Sequence, residues 1–232
     1  DVVLVQGGWR NDSTPGLIYD DTWLYHVTEQ RWEQVFPPTP RPGATSDHGL
    51  VYLPAKRAFL MLLRDVAWTF DPLTLRWRLL GTTSVVDEAG QPASFLFGAS
   101  TACALDPTTG LVVLYGGSYG NPPTVFTDTT VLYDVDTNTY TVLAPPVRPP
   151  ARVRGGFARD ARSGRFVLFG GVQDQYSQRK DDLWVFDPRA RTWTELDASN
   201  APGRRGGYYG MAYDEDSARF LLSCGRAAFE LW

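Results

Sequence analysis

The sequence predicts an all-β chain of tandem four-stranded antiparallel sheets. Three observations predict it: a 17-residue segment recurring at a spacing of 54, pairs of aromatic or apolar residues nine apart, and apolar runs of four to six residues between turn signals every 8 to 15. Runs that short, rich in β-branched and aromatic side chains, read as strands, and no stretch holds a helical i, i+3, i+4, i+7 pattern over three turns. The 13% aromatic content suits strands, and 22 Gly and 17 Pro scattered along the chain supply many turns.

The segments Thr101–Gly117, Gly155–Gly171 and Tyr209–Gly225 align without gaps, so that Asp106, Asp160 and Asp214 coincide, as do Gly116-Gly117 and Gly170-Gly171. Gly49–Asp65 reads as a degraded fourth copy, with Pro54 in place of the Asp and Arg64-Asp65 in place of the glycines. Val3–Gly8 reads as the tail of a fifth. The spaced pairs are Trp23/Trp32, Trp68/Trp77, Val131/Tyr140 and Trp184/Trp193. Three of them enclose a turn headed by Asp71, Asp134 or Asp187, a side chain able to bond the backbone two residues on. Each pair therefore reads as a tight hairpin with one anchor on each arm. Every repeat then holds strands a to d, as in Phe157–Arg159, Arg165–Phe169, Asp182–Phe186 and Thr192–Leu196. One such sheet cannot bury both faces, whereas copies stacked radially can, and that arrangement is a β-propeller.

Composition agrees and excludes some partners. As one domain, 232 residues can bury roughly 70% of their unfolded surface. A formal charge of −4 offers no electrostatic case for nucleic acid. The longest apolar run, Ala58–Leu63, is far too short to span a bilayer, so no membrane insertion is expected. Asp1 leads directly into a strand pattern, and any leader is expected to have been removed or left out. Cys103 and Cys224 each sit in an apolar strand pattern and read as buried thiols rather than a disulfide.

The run Arg165-Phe-Val-Leu-Phe-Gly-Gly171, followed by Asp181-Asp-Leu-Trp-Val-Phe-Asp-Pro-Arg-Ala-Arg-Thr-Trp193, resembles the kelch motif in its bacterial style. The resemblance covers nearly the whole chain and implies a kelch-type β-propeller, similar to the central domain of galactose oxidase. The second copy departs most, lacking the double Gly, and the third carries Val131 and Tyr140 in place of Trp. The repeat places a partial blade over 1–40, complete blades over 41–81, 95–144 and 150–197, and a second partial blade over 203–232. The sequence starts at strand b of one blade and stops at Phe229–Trp232, within strand c of another. Closing a four-blade ring would leave strands over, so a piece of a larger ring is expected.

The glycine pairs read as structural, because no helix follows to make a phosphate cradle. The strand c and d aromatics recur at fixed phase and read as core anchors. His26 and His48 are the only histidines. His26 takes a turn position and is expected to be exposed; His48 stands where strand a begins, with Ser100, Arg154 and Tyr208 at nearly the same phase. No Cys or carboxylate accompanies them at ligand spacing, so no metal and no cofactor are expected. In particular, the copper ligand set of galactose oxidase has no counterpart. The acid pairs Asp20-Asp21 and Asp181-Asp182 read as turn and edge solvation, and neither a nucleophile elbow nor a catalytic triad is present.

Function is expected in the loops, which do not repeat. The b–c and d–a loops leave the same face and differ in length, Gly7–Asp21, Gly117–Asp128 and Gly171–Asp182 being long and Gly81–Phe97 the longest of the d–a class. They carry Trp9, Arg10, Tyr19, Arg64, Phe95, Tyr119, Tyr176 and Arg179, and the starts of strand a add His48, Arg152, Arg154, Arg204, Arg205 and Tyr208. Aromatic and Arg side chains are enriched at interface hot spots. They predict a non-catalytic scaffold for a protein or peptide, and the Arg content suits an acidic peptide or an anionic glycan. The alternative expectation is a carbohydrate-binding or sugar-processing propeller using the central depression.

Overall fold

The computed structural model describes residues 1–10, 16–46, 48–63, 66–95, 98, 100–120, 124–174, 178–201 and 208–225. In order the strands are β1 (Val2–Arg10), β2 (Leu17–His26), β3 (Arg31–Val35), β4 (Gly49–Leu53), β5 (Ala58–Leu62), β6 (Val66–Asp71), β7 (Arg76–Thr82), β8 (Ser84–Asp87), β9 (Ala102–Asp106) and β10 (Leu111–Tyr115). They continue as β11 (Ser118–Tyr119), β12 (Val125–Phe126), β13 (Thr130–Asp134), β14 (Thr139–Leu143), β15 (Gly156–Arg159), β16 (Phe166–Val172), β17 (Arg179–Asp187), β18 (Thr192–Leu196), β19 (Tyr208–Asp214) and β20 (Arg219–Gly225).

The chain divides into two compact units, Asp1–Thr83 and Ser84–Trp232. The first unit holds the sheets β1-β2-β3 and β4-β5-β6-β7, the first and second blades. The second unit holds β8-β14-β13-β10-β9, β15-β16-β17-β18 and β19-β20, with the two-stranded ribbon β11-β12; these sheets are numbered as third to fifth blades after the copies of the repeat they contain. Residues 226–232, where a last strand c is expected, lie outside the described residues.

The Asp-headed turns form as the sequence suggests. The Oδ1 atoms of Asp71, Asp134 and Asp187 accept the amides of Leu73, Asp136 and Arg189 at 2.8, 2.8 and 3.0 Å. Each of these turns ends on a residue in the left-handed region, Leu75, Asn138 or Arg191, which starts strand d in register. The anchors pair differently from the nine-residue spacing. Rings of Tyr25 and Trp32, Phe70 and Trp77, Tyr133 and Tyr140, and Phe186 and Trp193 lie 4.6 to 5.0 Å apart, because the partner opposite the strand d anchor is two residues further along strand c.

Two further expectations change. In the second blade Leu53 pairs with Ala58 as Asp106 pairs with Leu111, so Leu53, not Pro54, holds the Asp position. The gap-free alignment would have turned every strand b side chain to the wrong face. The connection after β7 is not a free loop on a binding face. Its residues Ser84–Asp87 form β8, which runs parallel to β14 and covers the outer edge of the third blade. Phe95 packs against Tyr140 with its ring tilted by 57° and the centroids 5.0 Å apart.

Blades stack through unlike faces. In the first unit Leu4, Leu24 and Val35 meet Phe59, Met61, Trp68, Phe70 and Trp77 of the next sheet. In the second unit Val113, Tyr115, Leu132 and Leu143 meet Phe157, Phe166, Leu168, Trp184, Phe186 and Trp193. Polar ties cross the same seams: Trp193 donates to the Thr130 hydroxyl at 2.9 Å, and Arg159 pairs with Asp106 at 2.9 Å.

The glycine pairs join one blade to the next. The amides of Gly8 and Gly117 donate to the carbonyls of Thr45 and Arg152, both at 2.9 Å. Thr45 and Arg152 in turn donate to Tyr19 and Thr127 on the facing strand, so the lead-in to each following blade bridges the opened hairpin. A Cβ on Gly116, whose φ is +68°, would lie 2.4 Å from the Arg152 oxygen. Gly116→Ala is therefore expected to cost about 3 kcal/mol in urea denaturation, against about 1 kcal/mol for Gly110→Ala, where φ is +75° but no atom lies within 4 Å.

Candidate functional site

Each glycine pair does more than end strand b. Register shifts at Gln6/Gly8 and Phe169/Gly171 mark bulges, beyond which strands b and c continue as a ribbon. The first ribbon pairs Gly8 with Tyr19, Trp9 with Ile18 and Arg10 with Leu17. The third blade's ribbon pairs Tyr119 with Val125, and the fourth pairs Val172 with Arg179. In the second blade, without glycines, no ribbon follows strand b among the described residues, and the Leu63 amide bonds the Val66 carbonyl at 3.0 Å.

These ribbons hold part of the expected site. Trp9, at 55% exposure, stands with Arg10, Leu17 and Ile18, all exposed. Leu17 and Ile18 were not anticipated; the signal was the bulge-set register that puts them opposite Arg10 and Trp9. Tyr19 and Tyr119 are half-buried, and Arg179 is exposed. His48 is half-buried just ahead of β4. Arg154 is half-buried at φ +60°, its amide donating to the Ser100 carbonyl at 3.3 Å, and Ser100 is itself at φ +58°. Arg64, Tyr176, Arg204 and Arg205 lie outside the described residues, as does the side chain of Tyr208, the first residue of β19.

Two expectations are corrected. His26 ends β2, half-buried, and its Nε2 lies 2.8 Å from a Glu33 carboxylate oxygen, because the turn begins one residue later. Arg152 is not a surface group: it is 1% exposed and belongs to the scaffold. Its guanidinium grips both oxygens of Asp182 at 2.6 Å and donates to the carbonyls of Pro150 and Gly170 at 3.0 and 2.9 Å. Trp184 Nε1 donates to the same carboxylate at 2.8 Å, and Trp23 does so to Asp21 at 2.7 Å in the first blade. The acid pairs thus orient indoles and receive Arg. Arg41 reaches Asp20 at 2.8 Å and Arg148 reaches Asp128 at 2.7 Å, so both are tied back to the start of strand c.

The electrostatics follow. Burial works to raise the Asp182 pKa, but bonds and charge from Arg152, with the Trp184 bond, outweigh it and hold the carboxyl below its ordinary value. Asp106 is lowered likewise, burial being outweighed by Thr108, Thr109 and Arg159. Among the described residues no group of three His, Cys, Asp or Glu side chains could hold a metal ion, and no helix is long and apolar enough to cross a membrane.

Comparison with known proteins gives a class by fold. The chain superposes on the structure of YjhT with a TM-score of 0.71 at 12% identity, covering 99% of this chain and 76% of that one. The likeness is one of fold, that of a β-propeller. No family profile matches the chain. Human and mouse multiple epidermal growth factor-like domains protein 8 are each 25% identical, over 206 and 198 residues, or 82% and 78% of this chain. The chain spans 7% of the length of each of these curated relatives.

Arg152→Met strands a shielded carboxylate and is expected to cost about 3 kcal/mol at neutral pH. Because the folded pKa of Asp182 is depressed, the stability it contributes is present above the ordinary value of 3.8 and is lost as pH falls through the lower folded value. Urea denaturation across that range should show the gap between wild type and variant closing on acidification.

Proposed function

We propose that this chain is a kelch-type portion of a larger propeller that acts as a non-catalytic scaffold, binding a protein or peptide through its ribbons and loops. The observation that carries the reading is the first ribbon, where Trp9, Leu17 and Ile18 stand exposed beside Arg10 on a hairpin held by backbone pairing. A rigid aromatic anchor beside Arg is the side-chain chemistry of interface hot spots. Exposed Arg10 and Arg179 favour a partner bearing carboxylates. The carboxyls of Asp71, Asp106, Asp160, Asp182 and Asp187 are all held below their ordinary value by turn amides, hydroxyls or Arg. A carboxyl kept ionised in this way is a fixed structural anion, whereas a general acid needs its pKa raised.

Selection of a random peptide library on the immobilised chain tests the reading. Enriched peptides should carry apolar and acidic residues, and Trp9→Ala should weaken them more than tenfold, as loss of a hot spot of about 2 kcal/mol implies. Its thermal midpoint should be unchanged, since Trp9 is exposed. Peptides that bind both proteins equally, or selective binding on a glycan array with no peptide enriched, would sink the proposal.

A further inference from the structure

The two stacked pairs share one rule. The side of a sheet carrying b, c and d aromatics is buried by the aliphatic side of the preceding sheet. In the fourth blade Phe166 and Leu168 of strand b, Trp184 and Phe186 of strand c and Trp193 of strand d are buried against the third. In the second blade Phe59, Met61, Trp68, Phe70 and Trp77 hold the same positions and are buried against the first. Register fixes their counterparts in the first blade as Val3, Val5, Trp23, Tyr25 and Trp32, since Val3 pairs with Tyr25, Val5 with Trp23 and Tyr25 with Trp32.

That third set has the same chemistry and a different environment. Val3, Val5 and Trp32 are 49%, 40% and 54% exposed, where Trp77 and Trp193 are 4% exposed. A lone exposed apolar side chain is ordinary; three exposed ones that, with half-buried Trp23 and Tyr25, repeat an interior pattern on one sheet face are not.

We infer that the Val3, Val5, Trp23, Tyr25 and Trp32 face is an interface for a further blade of the same ring, which presents aliphatic side chains at the positions held by Leu4, Leu24 and Val35. The inference rests on the larger-ring reading above. The curated relatives extend far beyond the matched segment, which leaves room for such a blade in a longer chain.

The test adds a blade. A copy of residues 150–197, which offers Val167, Val185 and Leu196 at the aliphatic positions, is joined ahead of Asp1, and hydroxyl-radical labelling is read by mass spectrometry. Labelling of Trp32 should fall about tenfold, following the ratio of its exposure to that of Trp77 and Trp193, while Trp9 stays unchanged as the reference. Val5→Lys in the extended chain should return Trp32 to its original labelling. Trp32 labelled equally with and without the added blade overturns the inference, as does protection that survives Val5→Lys. An added copy that stays unfolded counts against it too, because a face built for a blade would give it a surface to fold on. Protection that appears in the unextended chain only as its concentration rises would make a second copy the occupant and overturn the assignment to the ring. None of these outcomes touches the peptide binding carried by Trp9, so that part of the proposed function is tested separately.

Discussion

The carbonyl of Arg152 passes so close to Gly116 that no side chain fits between them, and Thr45 passes Gly7 in the same way. Much of the architecture depends on this approach. A backbone segment that must leave one sheet and begin the next carries polar groups through a dry seam, where each needs a partner. The bulge at the glycine pair supplies those partners by opening the hairpin between strands b and c, so that the passing residue bonds to both arms. Only a left-handed residue without a Cβ permits the geometry. One constraint therefore closes the seam between blades and redirects the hairpin that becomes the ribbon. Where the glycines are missing, as in the second blade, strands b and c are bonded from Leu63 to Val66 with no ribbon among the described residues.

The second organising fact is that each blade has unlike faces. The side with the strand c and d aromatics packs on a mainly aliphatic side, which in the third blade also holds Tyr115, so stacking has a direction and each contact is heterologous. Polar ties follow the same direction: Arg159 reaches back to Asp106, and Tyr213 reaches back to Asp160.

Much of this was legible in the sequence, for identifiable reasons. Strands, turns and blade order follow from a 54-residue repeat, because packing requirements recur with the unit they serve. The misreadings share a different cause. The same residue types serve scaffold and surface, and one position decides between them. Arg152 and Arg154 are two apart, yet the first is consumed by Asp182 and the second is half-buried at the start of strand a. Gly81–Phe97 looked like a long loop because its strand-forming part is four residues and pairs in parallel with a strand 55 residues away. Leu17 and Ile18 fall within the Gly7–Asp21 stretch that reads as a loop, and only the register beyond the bulge puts them on a paired strand opposite Arg10 and Trp9.

Scaffold and function are separated by the same device. A ribbon beyond the bulge keeps backbone pairing, so its side chains are held in place without being required for stacking. Trp9 can stay exposed there at little cost to the core formed by Leu4, Leu24 and Val35 behind it. The exposed aromatic face of β1–β3 differs in kind, because its side chains repeat an interior pattern while Trp9 repeats none. An apolar side chain that obeys the repeat is needed for stacking between sheets; one that breaks it, on a segment the stacking does not need, is where the proposed partner would bind.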